Sequence, residues 1–377
     1  MHCPPGDVTK ISQKAVEHAD ALCAGPPCIP FAGNGLHEGE ESTHFKPFLA
    51  TLALIVSLAK GSPALIFALL ENVFGALQWI ADVPPIFFRV ILVLREEVPE
   101  FHWGLDKLFG QFYKLGASRR RVFLKGIRND AISVPAVPAP LPALGLGNIR
   151  DNLNPHVPCS TSADLTAAQL ENLSSLEVQL QKVRHAGRIP AGSLVVAAAD
   201  RAPGKVYKQN YGVNLSPCLT TSNSTLVVMS IDDLAEPRED REFFRLLMPV
   251  ERFLLQGFKK GRALGMKPNL QVKASGNAYP VPLLMCELIP ILNSISMTCG
   301  LPPMPSGYTG YEFDFGELME RLKQELKEAS LHPALQGGKP TSKRKGNRRS
   351  IWHHGAGLSF QPRLNYLLDL FRGSDSY

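Results

Sequence analysis

A chain of 377 residues, 45% hydrophobic and 20% charged, has room for about two domains of roughly 150 residues each and too much apolar content to be disordered throughout. Its composition excludes a collagen-like rod and a disulfide-dense miniprotein. The formal charge is +6, and the excess is local: residues 1–336 sum to zero, while 337–377 hold 8 Lys+Arg and 2 Asp+Glu. A basic appendage on a neutral body points to an anionic partner: nucleic acid, an acidic membrane surface or an acidic protein.

Residues 1–45 carry 2 Lys+Arg against 6 Asp+Glu and are rich in Gly and Pro. They are expected to form a flexible acidic arm, with one short helix around Val8–Leu22. The start has no basic end followed by an apolar run, and the cysteines (Cys3, Cys23, Cys28, Cys159, Cys218, Cys286 and Cys299) are odd in number and scattered. Reduced thiols in the cytoplasm or nucleus are the expectation. Cys23, Cys28, His37 and His44 are four potential zinc ligands. Their intervals do not match a finger, so no metal is assigned. Cys286 and Cys299 lie in apolar surroundings and read as core thiols.

Residues 46–130 are the most apolar region. Pro47–Ala59 is uncharged, Lys60-Gly61-Ser62-Pro63 and Asp82-Val83-Pro84-Pro85 punctuate the run, and Ile86–Leu94 resumes it. A membrane span needs about 20 apolar residues. The interruptions favour a helical domain whose breaks are inter-helix turns, with a membrane-associated segment over 47–94 as the alternative. Arg119-Arg120-Arg121, Lys125 and Arg128 close this region. Read at helical spacing, Arg121, Lys125 and Arg128 share a face.

Residues 131–160 are a Pro-rich linker, since Pro135, Pro138, Pro140, Pro142, Pro155 and Pro158 cannot sit in a helix interior or a central strand. A helix is expected over 162–186, capped by Thr161 or Ser162. Its stripe of Leu173, Leu176, Leu180 and Val183 docks on its own domain, with self-association through 165–183 as a coiled-coil-like alternative. Ser193–Ala199 and Thr225–Ile231 read as strands. Arg238–Leu264 reads as a helix kinked or split by Pro249, and Phe315–Ser330 as a helix. Residues 161–336 thus form a mixed domain, and 337–377 a basic tail with a short terminal helix.

The fold class expected is α+β and predominantly helical: an N-terminal helical bundle joined by the Pro-rich linker to a mixed domain with a small sheet. No phosphate-binding loop, dinucleotide fingerprint, Gly-x-Ser-x-Gly elbow or His-Glu-x-x-His pair is present, so no catalytic residue and no cofactor are assigned. The basic clusters carry the functional reading. Arg119, Arg120, Arg121, Lys125 and Arg128, with Lys343, Arg344, Lys345, Arg348 and Arg349 in the tail, are expected to meet phosphates, and Trp352 to stack on a base. Lys259, Lys260 and Arg262 read as favourable charge at a helix end. The leading expectation is a non-enzymatic, nucleoprotein-like protein bound to RNA or DNA. The alternatives are a membrane scaffold and an enzyme with a site in 190–300.

Overall fold

The computed structural model describes residues 8–298, apart from 12–15, 32–41, 80–83, 134–136, 155–163, 201–210, 222–224 and 259–264 and residues 43, 63 and 242. Two four-stranded sheets organise it. In the first, β1 (Ala21–Ala24) leads through α1 (Phe45–Gly61) to β2 (Phe67–Val73), which lies parallel to it. After α2 (Ile86–Glu97), β3 (Phe101–Phe109) and β4 (Arg120–Arg128) return antiparallel, in the spatial order β1-β2-β4-β3.

The apolar run at 47–94 is therefore helix, strand and helix. A strand whose faces are both covered reads as a continuous hydrophobic segment, with the composition of a buried helix. Phe48, Leu52, Ile55 and Phe87 pack one face of the sheet with Leu70 and Leu124. The expected N-terminal helical bundle and the membrane segment are both overturned here, because these apolar residues cover a sheet. The stretch expected as a flexible arm supplies β1. Among the described residues one helix, α6 (Val281–Thr298), is long and apolar enough to cross a membrane. It covers the other face of the sheet, packing Leu284, Leu288 and Ile291 with Leu69, Phe123 and Ile127.

The second sheet, β6-β5-β7-β8, is antiparallel: β5 (Leu194–Ala198), β6 (Tyr211–Val213), β7 (Leu226–Ser230) and β8 (Phe244–Leu246). The helix α3 (Ala167–His185) covers one face. A capping box starts it at Thr166, whose hydroxyl accepts from the Gln169 N–H while Gln169 reaches back, later than the cap expected at Thr161 or Ser162. Leu173, Leu176 and Leu180 are buried against β5 and β7. The stripe is spent within the domain, which removes the surface that self-association through 165–183 would need.

Among the described residues of 238–264 the expected helix is mostly absent. Phe244–Leu246 pairs with β7, and Pro249 starts the short α4 (Pro249–Leu254), followed by α5 (Pro268–Asn277), rather than kinking a longer helix. Proline suits a first helical position because the N–H there has no intrahelical partner. Arg245 and Glu251, both buried, pair at 2.7 Å across that junction. The two sheets are stitched at the entry to β4: Ser118 N–H donates to Ser216 C=O at 2.8 Å, and Ser216 N–H to Gly116 C=O at 2.7 Å.

Candidate active site

The strand β1 runs into Gly25-Pro26-Pro27-Cys28. Two prolines fix φ and remove two backbone donors, which leaves a stiff turn. The neighbouring strand holds it: Asn72, fully buried, donates from Nδ2 to the Pro26 carbonyl at 3.4 Å. Beyond the turn, Phe31 N–H donates to Cys28 C=O at 2.9 Å. The Phe31 ring meets Phe45 and Phe48 edge-on at 6.0 and 5.5 Å. Cys28 is thus held from both sides.

Successive strand residues face opposite sides, so Glu71, beside Asn72, faces the α6 side of the sheet. On β4, Arg121 forms an ion pair with Glu71 through Nε, and its Nη1 donates to Arg120 C=O at 2.7 Å. Just before β4, the Arg119 guanidinium lies 4.0 Å from the same carboxylate oxygen. Arg119 also donates to Leu219 C=O at 3.3 Å, to Gly276 C=O at 3.2 Å and to Ala278 C=O at 2.7 Å. Leu219 C=O also receives the Cys218 thiol at 3.7 Å.

Burial pushes the Cys28 thiol above its ordinary range; Arg121 pulls it down, Glu71 pushes it up, and a backbone N–H and Arg119 pull it down, with a net rise. Burial and the neighbouring Arg121 press Arg119 down to about 10, which leaves it charged at neutral pH. The result is a half-buried thiol beside a carboxylate held by two guanidiniums, which provides a nucleophile, a hydrogen-bonding acid–base group and positive charge to stabilise electron density.

Of the residues expected to meet phosphates, Arg119, Arg121 and Lys125 are buried. Arg120 is exposed, 5.6 Å over the Phe109 ring. Arg128 donates to Asp130 at 2.6 Å. Lys343, Arg344, Lys345, Arg348, Arg349 and Trp352 lie outside the described residues, as do Lys259, Lys260 and Arg262. The structure brings Arg119 and Arg121 together, at Glu71. Sequence reasoning missed Cys28 and Glu71. The available signals were the Pro-Pro-Cys turn and a carboxylate–amide pair, Glu71-Asn72, inside an otherwise apolar β run.

Lys125 serves a separate buried cluster. Its Nζ lies 2.6 Å from Asp106, 2.6 Å from Glu287 on α6 and 2.7 Å from Pro138 C=O. Burial pushes the Glu287 carboxyl up to about 7, Lys125 lowering it and Asp106 raising it. Folding therefore favours the protonated acid. This group's contribution to stability is complete below its unfolded value of 4.5 and is lost as pH rises to about 7. Urea midpoints measured from pH 4.5 to 8 should fall less steeply with pH in Glu287→Gln than in the parent. Parallel curves would refute the assignment.

A family model described as C-5 cytosine-specific DNA methylase matches residues 2–287, and the chain belongs to that family. Two curated relatives are similar over 129 residues: the orphan methyltransferase M.SPRI of Bacillus phage SPR, at 29% identity over 34% of this chain and 27% of its own length, and M.Rho11sI of Bacillus phage rho11s, at 27% identity over 34% and 24%. The chain spans about a quarter of the length of the curated relatives it matches. Among solved structures, the Entamoeba histolytica methyltransferase EhMeth aligns at 14% identity over 77% of this chain and 81% of its own, with a TM-score of 0.46. The Spodoptera frugiperda DNMT2 aligns at 14% over 76% and 83%, with a TM-score of 0.47. Membership of a methylase family overturns the expectation of a non-enzymatic packaging protein, together with its membrane-scaffold alternative and the enzyme alternative with a site in 190–300.

Proposed function

We infer that this chain carries the base-activating chemistry of cytosine C5 methylation in DNA, with Cys28 as the nucleophile. The observation that carries this reading is the convergence of Cys28, Glu71, Arg119 and Arg121 in a chain of this family. C5 of cytosine is a poor nucleophile while the 5,6 double bond is conjugated with the ring. Addition of the Cys28 thiolate at C6 moves that electron pair to C5 and makes it enamine-like. Glu71 offers a carboxylate to the N3 and N4 edge of the base. Arg119 and Arg121 orient that carboxylate and stabilise the charge that accumulates on the ring. Loss of the C5 proton and expulsion of the Cys28 sulfur restore the double bond. The base must leave the helical stack to reach a half-buried thiol.

The methyl group itself comes from a bound donor, which supplies an electrophilic carbon to C5. The described residues do not form a nucleoside cradle. The turn after β1 contains Pro26 and Pro27, which lack N–H donors. At Gly75, just after β2, a Cβ would lie 1.6 Å from the Phe31 carbonyl oxygen, so no ligand fits there. The steps that these residues support concern the base.

DNA in which 2-pyrimidinone replaces the target cytosine tests this without a donor, since its C6 accepts a thiolate directly. The parent protein should form a denaturation-stable adduct, and Cys28→Ser should lose it by at least about a thousandfold. Because the thiol is raised, adduct formation should keep climbing with pH through 9 rather than level off near 7. No adduct with the parent, or an undiminished one with Cys28→Ser, would overturn the reading.

A further inference from the structure

Tyr279 stands two residues before the start of α6, one residue after the Ala278 carbonyl that Arg119 holds at 2.7 Å. Its hydroxyl oxygen is buried and has no hydrogen-bond partner among the described residues. Its direction is set by Gly25: a Cβ placed there would lie 3.1 Å from the Tyr279 hydroxyl oxygen and 3.6 Å from Glu71 Oε2. The hydroxyl and the carboxylate thus converge over one bare stretch of backbone, three residues before Cys28. A buried hydroxyl left without a partner is destabilising, a cost that phenylalanine at this position would avoid while keeping the ring contacts.

We propose that the Tyr279 hydroxyl donates a hydrogen bond to an acceptor atom on the Watson–Crick edge of the pyrimidine that Cys28 attacks, and so helps to select and seat that base. The proposal rests on the base-activating reading above. Burial, with Glu71 and Cys23 nearby, pushes the phenol up, so it acts as a donor and not as a base. The carboxylate at Glu71 takes the donor side of the base edge. With Glu71 on the N3 and N4 side, a hydroxyl beside it matches the remaining acceptor, the 2-carbonyl oxygen, which cytosine and 2-pyrimidinone share.

Adduct formation with 2-pyrimidinone DNA should show a half-saturating concentration about tenfold higher in Tyr279→Phe. The melting temperature should not fall and the rate of Cys28 alkylation by iodoacetamide should stay unchanged, which separates ligand contact from a structural role. An unchanged half-saturation in Tyr279→Phe, with the parent reactive, overturns this proposal alone. So does weakened binding of S-adenosylmethionine with unaltered dependence on DNA, which would assign the hydroxyl to the methyl donor. Absence of any adduct with the parent overturns the base-activating reading and this proposal together.

Discussion

Arg119→Met should destabilise the protein by about 3–5 kcal/mol and abolish reaction with 2-pyrimidinone DNA. The Arg119 side chain is almost fully buried and donates to three carbonyls, those of Leu219, Gly276 and Ala278. Methionine approximates its length but donates nothing, so the Gly276 and Ala278 carbonyls lose this donor and Leu219 C=O keeps only the Cys218 thiol, each lost bond costing about 1–3 kcal/mol. Glu71 also loses one of its two cationic neighbours. Arg119→Lys should recover little, because an ammonium cannot reproduce a planar fork aimed at several acceptors. Denaturant midpoints and adduct yields give the readout. A change in stability below about 0.5 kcal/mol, the usual range of surface substitutions, would show that the hub is dispensable.

Gly75→Ala should cost about a hundredfold in the rate of Cys28 addition. The added Cβ would lie 1.6 Å from the Phe31 carbonyl oxygen and 2.7 Å from its carbon. Both are backbone atoms, so no side-chain rotation relieves the overlap, and the turn from Cys28 to Phe31 must move. A misplacement of about 1 Å at a reacting atom is enough for a loss of that order. Gly265→Ala is the control, since nothing lies within 4 Å of its Cβ position. Equal rates for the two variants would mean that the turn is not held by this contact.

Much of the second sheet could be read from the sequence. The stripe Leu173, Leu176 and Leu180 seats α3 on β5 and β7, and the short apolar runs at 193–199 and 225–231 contain those strands. The first sheet was hidden by its own burial. With α1 and α2 on one side and α6 on the other, β2 presents no solvent-exposed face, and alternation, the signal that separates strand from helix, disappears.

In β4 the ambiguity was geometric. Residues four apart share a face in a helix and in a strand alike. Arg121 and Lys125 therefore fitted a helical reading, although Phe123 and Ile127 lie on that same face of the strand, in the same core. In the sequence the cations suggest a phosphate-binding surface because their counter-charges are distant along the chain. Glu287 is 162 residues from Lys125, and only the folded chain reveals the pairing. In the sequence Cys28 stands as one of four scattered potential metal ligands. The Pro26-Pro27 pair before it was the local evidence of a rigid turn, but Asn72, which pins that turn, lies 46 residues away.

The Arg119 hub also imposes an order of assembly. The guanidinium that stands by the Glu71 carboxylate is satisfied by carbonyls 100, 157 and 159 residues downstream of Arg119. A chain emerging from the ribosome exposes Cys28 before Arg119 and cannot organise the pocket around it until residue 278 has been made. Contacts of such long range are slow to form. The thiol therefore spends the interval of synthesis without the arrangement that would make it selective for a base, and reactivity and specificity arrive together when the last turn before α6 docks.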